Sequence, residues 1–296
     1  MKKRFLLLGG IALLALTSCE YKDTKEIQKN IEGKSNEEII QMVADANTDA
    51  KVEEELKSGA KLTGNVLVKG NLDLENMLGV GGELSLSADV TAIYNSDGSQ
   101  TTASANVLVK DSDSKESTAK AEATVESLNS EDDVYLYSKI SSKLNGTESN
   151  QTSKIKTKKS TSDESSLDEI FKNLDIDIDN VDVNELKDFF KDCEVSVDNG
   201  LLLFTKTVTS DTKMSDGVSV EGLSGSVIVG FDKDYHLRKL ECSLSATKLS
   251  ASKNESVLFS ISNLNMSFKA NLEIGSFTFK SLEDKGSYIY SIGSLF

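Results

Sequence analysis

The side chains best suited to chemistry in this sequence are a single histidine and three cysteines. His236 follows the charged turn Asp232-Lys233-Asp234, and no Gly-x-Ser-x-Gly segment lies near it. A Ser-His-Asp triad needs a nucleophile and an acid held in fixed geometry around its histidine, so we interpret His236 as an exposed loop residue. One histidine and so few cysteines also supply too few ligands for a His/Cys zinc site.

A second candidate is the acidic run Asp175-Ile176-Asp177-Ile178-Asp179-Asn180. An EF-hand loop has glycine at its sixth position and glutamate at its twelfth, whereas this run has Asn180 and Leu186 there. We favour a solvated acidic connector, with a looser oxygen-ligand calcium site as the alternative. The sequence therefore predicts no catalytic, metal-binding or cofactor-binding residues, no cofactor and no enzyme activity.

Cys19 lies in a different pattern. Residues 1–4 carry three positive charges, residues 5–16 are apolar or glycine, and Thr17, Ser18 and Cys19 follow. This is the layout of a secretory signal peptide, and its apolar run is shorter than the about 20 residues that span a bilayer. Leu16-Thr17-Ser18-Cys19 resembles the lipobox of bacterial lipoproteins. The alternatives are an ordinary signal peptide with an unmodified Cys19, or a buried core helix.

The lipobox resemblance implies a modification and a location. In that family residues 1–18 are removed, the sulfur of Cys19 carries a diacylglyceryl group, and acyl chains such as palmitate anchor the protein at the extracytoplasmic face of the cell membrane. Each buried methylene contributes about 0.8 kcal/mol, so two chains hold a protein more durably than one. We predict lipid attachment at Cys19 and a flexible polar tether over residues 19–35, on either the inner or the outer membrane.

The net charge of the chain restricts its possible partners. Without residues 1–18 the chain has 30 basic and 48 acidic residues, a net charge of −18. Such a surface repels nucleic acid, so we predict no nucleic-acid partner.

An exported protein can form a disulfide between Cys193 and Cys242. Because Cys242 occupies an apolar position of an alternating segment, we favour free thiols.

Helical patterns occur in two regions. Ser35 and Glu38 have capping-box spacing, and apolar residues at helical spacing follow, which predicts a helix from residue 36 to Leu56 that ends at Ser58-Gly59. A helical insertion is predicted near residues 163–192. Its apolar positions at helical spacing are Leu167, Ile170, Phe171, Leu174, Val183, Leu186, Phe189 and Phe190.

Most of the remaining chain alternates apolar and polar residues, which is typical of strands with one wet face. The alternation begins after Lys61 and ends with Phe277 and Phe279. Asn95-Ser96-Asp97-Gly98 and Asn145-Gly146 are hairpin-turn signals. We predict a mainly β (α+β) fold with one large, curved, half-barrel-like antiparallel sheet, an N-terminal helix and the helical insertion, in a single domain over residues 36–296.

The order of these elements resembles the LolA/LolB-like carriers and the LppX/LprG-type lipid-binding lipoproteins. The strand of residues 133–138 before the insertion and the strand–turn–strand of residues 225–240 after it carry the resemblance. In that family a half-barrel lidded by helices holds acyl chains. The resemblance implies an anchored envelope lipoprotein that binds a hydrophobic or amphiphilic ligand in a cavity under the sheet. The alternative is a structural or surface-interaction lipoprotein with a packed core and no ligand.

Overall fold

The structure is a computed structural model that describes residues 23–47, 51, 55–73, 81–111, 115–144, 146–159, 190–210, 213–215, 218–253 and 256–290. Cys19, the acidic run 175–180 and nearly all of the predicted helical insertion lie outside these residues. No helix among the described residues is both long enough and apolar enough to cross a membrane.

Strands dominate the described residues. In chain order they are β1 Ala60–Asp73, β2 Gly81–Asn95, β3 Gly98–Asp111, β4 Glu116–Leu128, β5 Asp133–Leu144, β6 Thr147–Lys158, β7 Glu194–Asp198, β8 Leu201–Ser210, β9 Lys213–Ser215, β10 Val218–Glu221, β11 Leu223–Phe231, β12 Leu237–Lys253, β13 Ser256–Ile274 and β14 Ile289–Tyr290.

These strands form one sheet in the order β14-β6-β5-β4-β3-β2-β1-β13-β12-β11-β8-β7, with β10 on β12 and β9 on β10. The pairs β1–β2, β2–β3, β3–β4, β4–β5, β5–β6 and β1–β13 are antiparallel, and β14 runs parallel to β6. The predicted mainly β fold with one large antiparallel sheet is therefore confirmed.

The chain divides into two compact units, and the single domain predicted over residues 36–296 stays a prediction. Unit 1 contains Met1–Glu53, Asp179–Lys206 and Val227–Leu240, and unit 2 contains Glu54–Ile178, Thr207–Ser226 and Glu241–Phe296. The two units have very different interiors.

Unit 1 has a conventional core in which two helices contribute isoleucines and valine. The helices are α1, residues 23–31, and α2, Asn36–Ala46. The rings of Phe190 and Phe204 lie 4.6 Å apart, and those of Phe204 and Phe231 lie 5.8 Å apart, edge to face. The buried cluster consists of Ile27, Ile39, Ile40, Val43, Phe190, Cys193, Leu202, Phe204, Val229 and Phe231.

The predicted capping box starts α2. The backbone N–H of Ser35 donates to Glu38 Oε2 at 2.7 Å, and the N–H of Glu38 donates to Ser35 Oγ at 3.3 Å. These two bonds satisfy amide groups that a helix start leaves without partners. The helix ends at Ala46 with Asn47 as its C-cap, earlier than the predicted Leu56, although residues 51 and 55–56 are also helical.

The predicted flexible tether contains helix α1. Ile27 in this helix is fully buried, and Ile31 packs against the same core. Two isoleucines four residues apart lie on one face of a helix, and this pair supplies the apolar contact that orders the segment. The sequence signal was weak because charged and uncharged polar residues fill the other positions of α1.

Unit 2 contains the long strands and few buried residues. The predicted turn at Asn95 is confirmed: its Oδ1 accepts the N–H groups of Asp97 at 2.9 Å and Gly98 at 3.2 Å. Gly98 has φ +144°, and a Cβ there would lie 2.1 Å from the carbonyl oxygen of Ser127, so a side chain would collide with β4. The small core of this unit is Val220, Ala246 and Leu264.

Candidate functional site: the two faces of the sheet in unit 2

Most apolar residues of β1 to β5 lie on one face of the sheet, here called the apolar face. Residues opposite each other in neighbouring strands share a face. Ala88 lies opposite Val66 and Ala105, Ala105 lies opposite Ala121, and Ala121 lies opposite Ile140. The register thus aligns apolar positions of five strands into one row across the sheet.

Small side chains fill the middle of this face. In the next row Val90 lies opposite Gly64 and Ala103, and Ala103 lies opposite Ala123. Larger side chains flank the two rows. They include Leu62, Val68, Leu84, Leu86, Val107, Val109, Val125 and Leu136.

The apolar face remains in contact with solvent. Among the side chains of this face that the structure describes on β2, β3, β4 and β5, none is buried, and Val90 and Ile140 are 38% and 50% exposed. Four strands about 4.8 Å apart and about 12 residues long make a face of roughly 750 Å². The largest exposed apolar patch on a typical monomer is roughly 300–600 Å² and is often functional. The outline of this face, which includes serine and threonine positions, is large enough to hold a patch of that size.

The opposite, polar face is crossed by the C-terminal segment, defined here as residues 276–290. β13 ends at Ile274, so the predicted continuation of strand alternation to Phe277 and Phe279 is wrong. The segment instead follows one row of the polar face. The Asn95 side-chain amide donates to the Phe277 carbonyl at 2.8 Å, and the rings of Tyr288 and Tyr135 lie 5.4 Å apart.

The C-terminal segment reaches the edge of the sheet at β6. Ile289 pairs with Ile155 and Tyr290 with Lys156. The ammonium group of Lys156 lies 4.5 Å from the centre of the Tyr290 ring, and the Tyr290 hydroxyl donates to Asp133 at 3.0 Å. This segment thus connects the middle strands of the polar face to the outermost long strand.

Glu126 is the centre of this attachment. Its side chain is fully buried on β4. The carboxylate accepts hydrogen bonds from Ser281 Oγ at 2.7 Å, from the Leu282 N–H at 2.8 Å and from the Gln100 amide at 2.8 Å, and Lys285 Nζ lies 2.8 Å from it. A buried carboxylate without such partners would be strongly destabilising.

These contacts decide the ionisation of Glu126. Burial alone raises the pKa of this carboxyl, but hydrogen bonds from Lys285, Ser281, Leu282 and Gln100 outweigh burial and hold the pKa below its ordinary value. Glu126 is therefore a carboxylate at neutral pH. Because its partners all belong to the polar face or the C-terminal segment, the arrangement is a structural attachment.

A depression of about 410 Å³ lies elsewhere on unit 2. Leu67 and Ser267 in its wall are opposite each other in the β1–β13 register, on the polar face. The wall includes five serines, so this depression is not an apolar cavity. Its lining residues are Leu67, Ser224, Gly225, Ser226, Ser243, Leu244, Ser245, Asn265, Met266 and Ser267.

The remaining residues singled out in the sequence are not brought into one site. Cys193 and Cys242 are both free thiols, as favoured, and burial raises the pKa of each. His236 lies in the loop between β11 and β12, as predicted, but it is only partly exposed. Its backbone N–H donates to Asp232 Oδ1 at 3.0 Å.

Comparisons with known proteins add little. No family model matches the chain, and no curated protein matches it. A solved β-barrel-like protein of the domain of unknown function DUF1849 from Brucella abortus is 9% identical, with a TM-score of 0.27 over 74% of this chain and 98% of that one. A TM-score this low does not establish a shared fold, so the fold rests on the strand pairing above. The resemblance to lipid-binding lipoproteins stays a prediction.

Proposed function

We propose that this protein is an extracytoplasmic lipoprotein, anchored through lipid on Cys19, that binds a hydrophobic or amphiphilic ligand on the apolar face of unit 2. The observation that supports the ligand is the face itself, whose described side chains on β2 to β5 all remain at least partly exposed. An apolar chain laid across it would remove that surface from water, which contributes roughly 25 cal/mol for each Å² buried.

The arrangement of the two faces supports this choice of surface. The C-terminal segment covers part of the polar face and is held there by the buried Glu126. Alanines in the centre of the apolar face leave room for a chain between the larger flanking residues. A ligand recognised in this way is defined by apolar length and not by a charged group, since this face of β2 to β5 carries no ionisable side chain apart from Tyr94 and, at the end of β3, Asp111.

A pair of variants on β3 tests the ligand. Ala105→Lys places an ammonium group in the middle of the apolar face, whereas Ser104→Lys places the same group on the polar face, where its neighbours are Asp89 and Glu122. Native mass spectrometry and binding of a fluorescent fatty acid would be measured for both. We expect Ala105→Lys to weaken fatty-acid binding at least tenfold and Ser104→Lys to leave it unchanged.

The alternative function, a structural or surface-interaction lipoprotein, predicts a different result. The serine-lined depression on the polar face is the observation that favours it. In that case the wild-type protein would bind no fatty acid and carry no apolar molecule after purification, and Ala105→Lys would not differ from wild type in either measurement. Such a result would reject the ligand.

Anchoring is tested separately, at Cys19. We expect metabolically supplied labelled palmitate to appear in the wild-type protein and not in Cys19→Ser, and the Cys19→Ser protein to leave the membrane fraction. Labelled, membrane-bound Cys19→Ser would reject the lipid anchor while leaving the ligand proposal intact.

A further inference from the structure

The two rows of small side chains on the apolar face end differently on the two sides of the sheet. The row with the alanines of β2, β3 and β4 starts at Phe268 on β13 and ends with Ile140 and Gln151. The next row starts at Ala270 on β13 and ends with Ser153. Both rows are therefore apolar from β13 to β4 and reach a hydrogen-bonding side chain on β6.

The polar residues at these row ends are here called the hydroxyl end, and they are Ser138, Gln151 and Ser153. Ser138 lies opposite Ser153 on the strand pair β5–β6. Gln151 is exposed and both serines are partly exposed, so water reaches their polar groups. Ser142 and Ser149, which are also opposite each other, continue the polar surface by one row. Serine hydroxyls and glutamine amides both donate and accept hydrogen bonds.

The hydroxyl end has no charged neighbour on its own face. Among the described residues of β1 to β6 on the apolar face, Asp111 alone is charged, and it lies at the end of β3. The lysines of β6 occupy the alternate positions and lie on the polar face, where Lys154 is opposite Tyr137. A carboxylate or phosphate placed at the hydroxyl end would therefore lack a positive partner, which is unfavourable once water is displaced. The net charge of −15 would also repel it.

We propose that the ligand is a neutral amphiphile with a long acyl chain and an uncharged head that carries hydroxyl groups, such as glycerol. This inference rests on the proposed function and specifies the ligand of the apolar face. The acyl chain lies along the two rows of small residues, and the head binds Ser138, Gln151 and Ser153. From β13 to β4 the rows are about 19 Å long at the usual strand spacing of about 4.8 Å.

Hydrogen bonding favours such a head over a wholly apolar ligand. An apolar molecule that reached β6 would take water away from Gln151 and Ser153 without replacing its hydrogen bonds, and unpaired polar groups are costly. The hydroxyl groups of glycerol donate and accept, as water does, so they can replace it at these side chains. The apolar residues on β13 offer no such partners, so the head has one preferred end of the rows.

Competition between two probes with the same acyl chain tests the head. The delipidated full-length chain, in detergent at neutral pH, would be mixed with equal amounts of palmitate and monopalmitoylglycerol, and native mass spectrometry would measure the two complexes. Both probes meet the same detergent, so the ratio of complexes reports the head group. We expect monopalmitoylglycerol to exceed palmitate by about tenfold or more, because its head gains hydrogen bonds whereas the carboxylate lacks a counter-ion. Equal binding, or an excess of palmitate, overturns the neutral head.

A lysine at the hydroxyl end should reverse this preference. Gln151→Lys places an ammonium group beside the head, where it can pair with the carboxylate of palmitate. Asn150→Lys is the matched control, because Asn150 is the next residue of β6, is exposed and lies on the polar face opposite Ser141. We expect palmitate to predominate on Gln151→Lys and monopalmitoylglycerol on Asn150→Lys. The same ratio on both variants overturns the position of the head.

Failure of the ligand proposal itself gives a different result. If wild type binds neither probe and Ala105→Lys is indistinguishable from it, the proposed function fails together with this inference. If wild type binds both probes equally and Ala105→Lys binds both more weakly, the apolar face still binds a ligand and only the neutral head is rejected.

Discussion

Glu126→Gln should detach the C-terminal segment from the sheet. The substitution preserves shape but replaces one acceptor oxygen by a donor NH₂ group. Ser281, Leu282 and Gln100 all donate to the carboxylate, at 2.7, 2.8 and 2.8 Å, so at least one donor would face another donor. The hydrogen bonds that would be lost are those that hold residues 276–290 on the sheet.

The magnitude follows from the ion pair and its surroundings. Breaking a buried ion pair costs about 3–5 kcal/mol when the other charge is left without a partner. Here Lys285 keeps Glu131 at 2.9 Å and is 20% exposed, so its charge is not isolated. Hydrogen bonds to charged groups contribute about 1.5–3 kcal/mol. We expect Glu126→Gln to lower the free energy of unfolding by about 2–3 kcal/mol, below the about 3–5 kcal/mol of a buried pair whose other charge is isolated.

Two measurements and one control test this expectation. Urea denaturation reports the free energy, and hydrogen exchange reports whether protection falls first in residues 276–290, as local opening would require. Glu122→Gln is the control, because Glu122 lies on the same strand and face, is 42% exposed and pairs with Lys120 at the surface. We expect Glu122→Gln to leave the free energy of unfolding and the hydrogen exchange of residues 276–290 unchanged. A Glu126→Gln protein with wild-type stability and unchanged exchange would refute the structural role.

Three further outcomes are expected. The difference in free energy of unfolding between wild type and Glu126→Gln, measured by urea denaturation, should have its full size at neutral pH and disappear in acid. The folded-state pKa of Glu126 lies below its ordinary value, so the stabilisation by its carboxylate is lost as the pH falls through that pKa. Phe204→Ala should destabilise unit 1 by about 3–5 kcal/mol in urea denaturation, since this fully buried ring packs against two others. Cys193, 4% exposed, and Cys242 should react slowly with a thiol reagent in the native protein and fast in urea, because burial raises both pKa values.

Local patterns in the sequence predicted the elements whose signal is local. Alternation of Leu84, Leu86 and Ala88 with polar residues marked β2 and assigned these side chains to one face, and the register confirms that face. Ser35 and Glu38 marked the start of α2 through contacts only three residues apart. In each case the interactions that define the structure lie within a few residues of each other.

Interactions between distant residues account for what the sequence did not predict. Glu126 is one of many acidic residues, and nothing in its neighbours distinguishes it; its partners Ser281 and Leu282 are 155 and 156 residues away. The same applies to Phe277, whose alternation with Phe279 imitates a strand although its carbonyl bonds Asn95. Helix α1 was missed because its two core residues, Ile27 and Ile31, stand among charged and uncharged polar residues.

The two faces of unit 2 require different explanations for their sequences. On the polar face, the buried carboxylate of Glu126 would be strongly destabilising without Ser281, Leu282 and Lys285 of the C-terminal segment. The residues of this face are therefore explained by a segment of the same chain that covers them. On the apolar face of β2 to β5, alternation is kept over four long strands, yet no position there is buried. Folding alone gains less from apolar side chains that stay partly exposed than from fully buried ones. The regular alternation is therefore best explained by an apolar surface that is covered when the protein acts, which is the physical basis for proposing a ligand on this face.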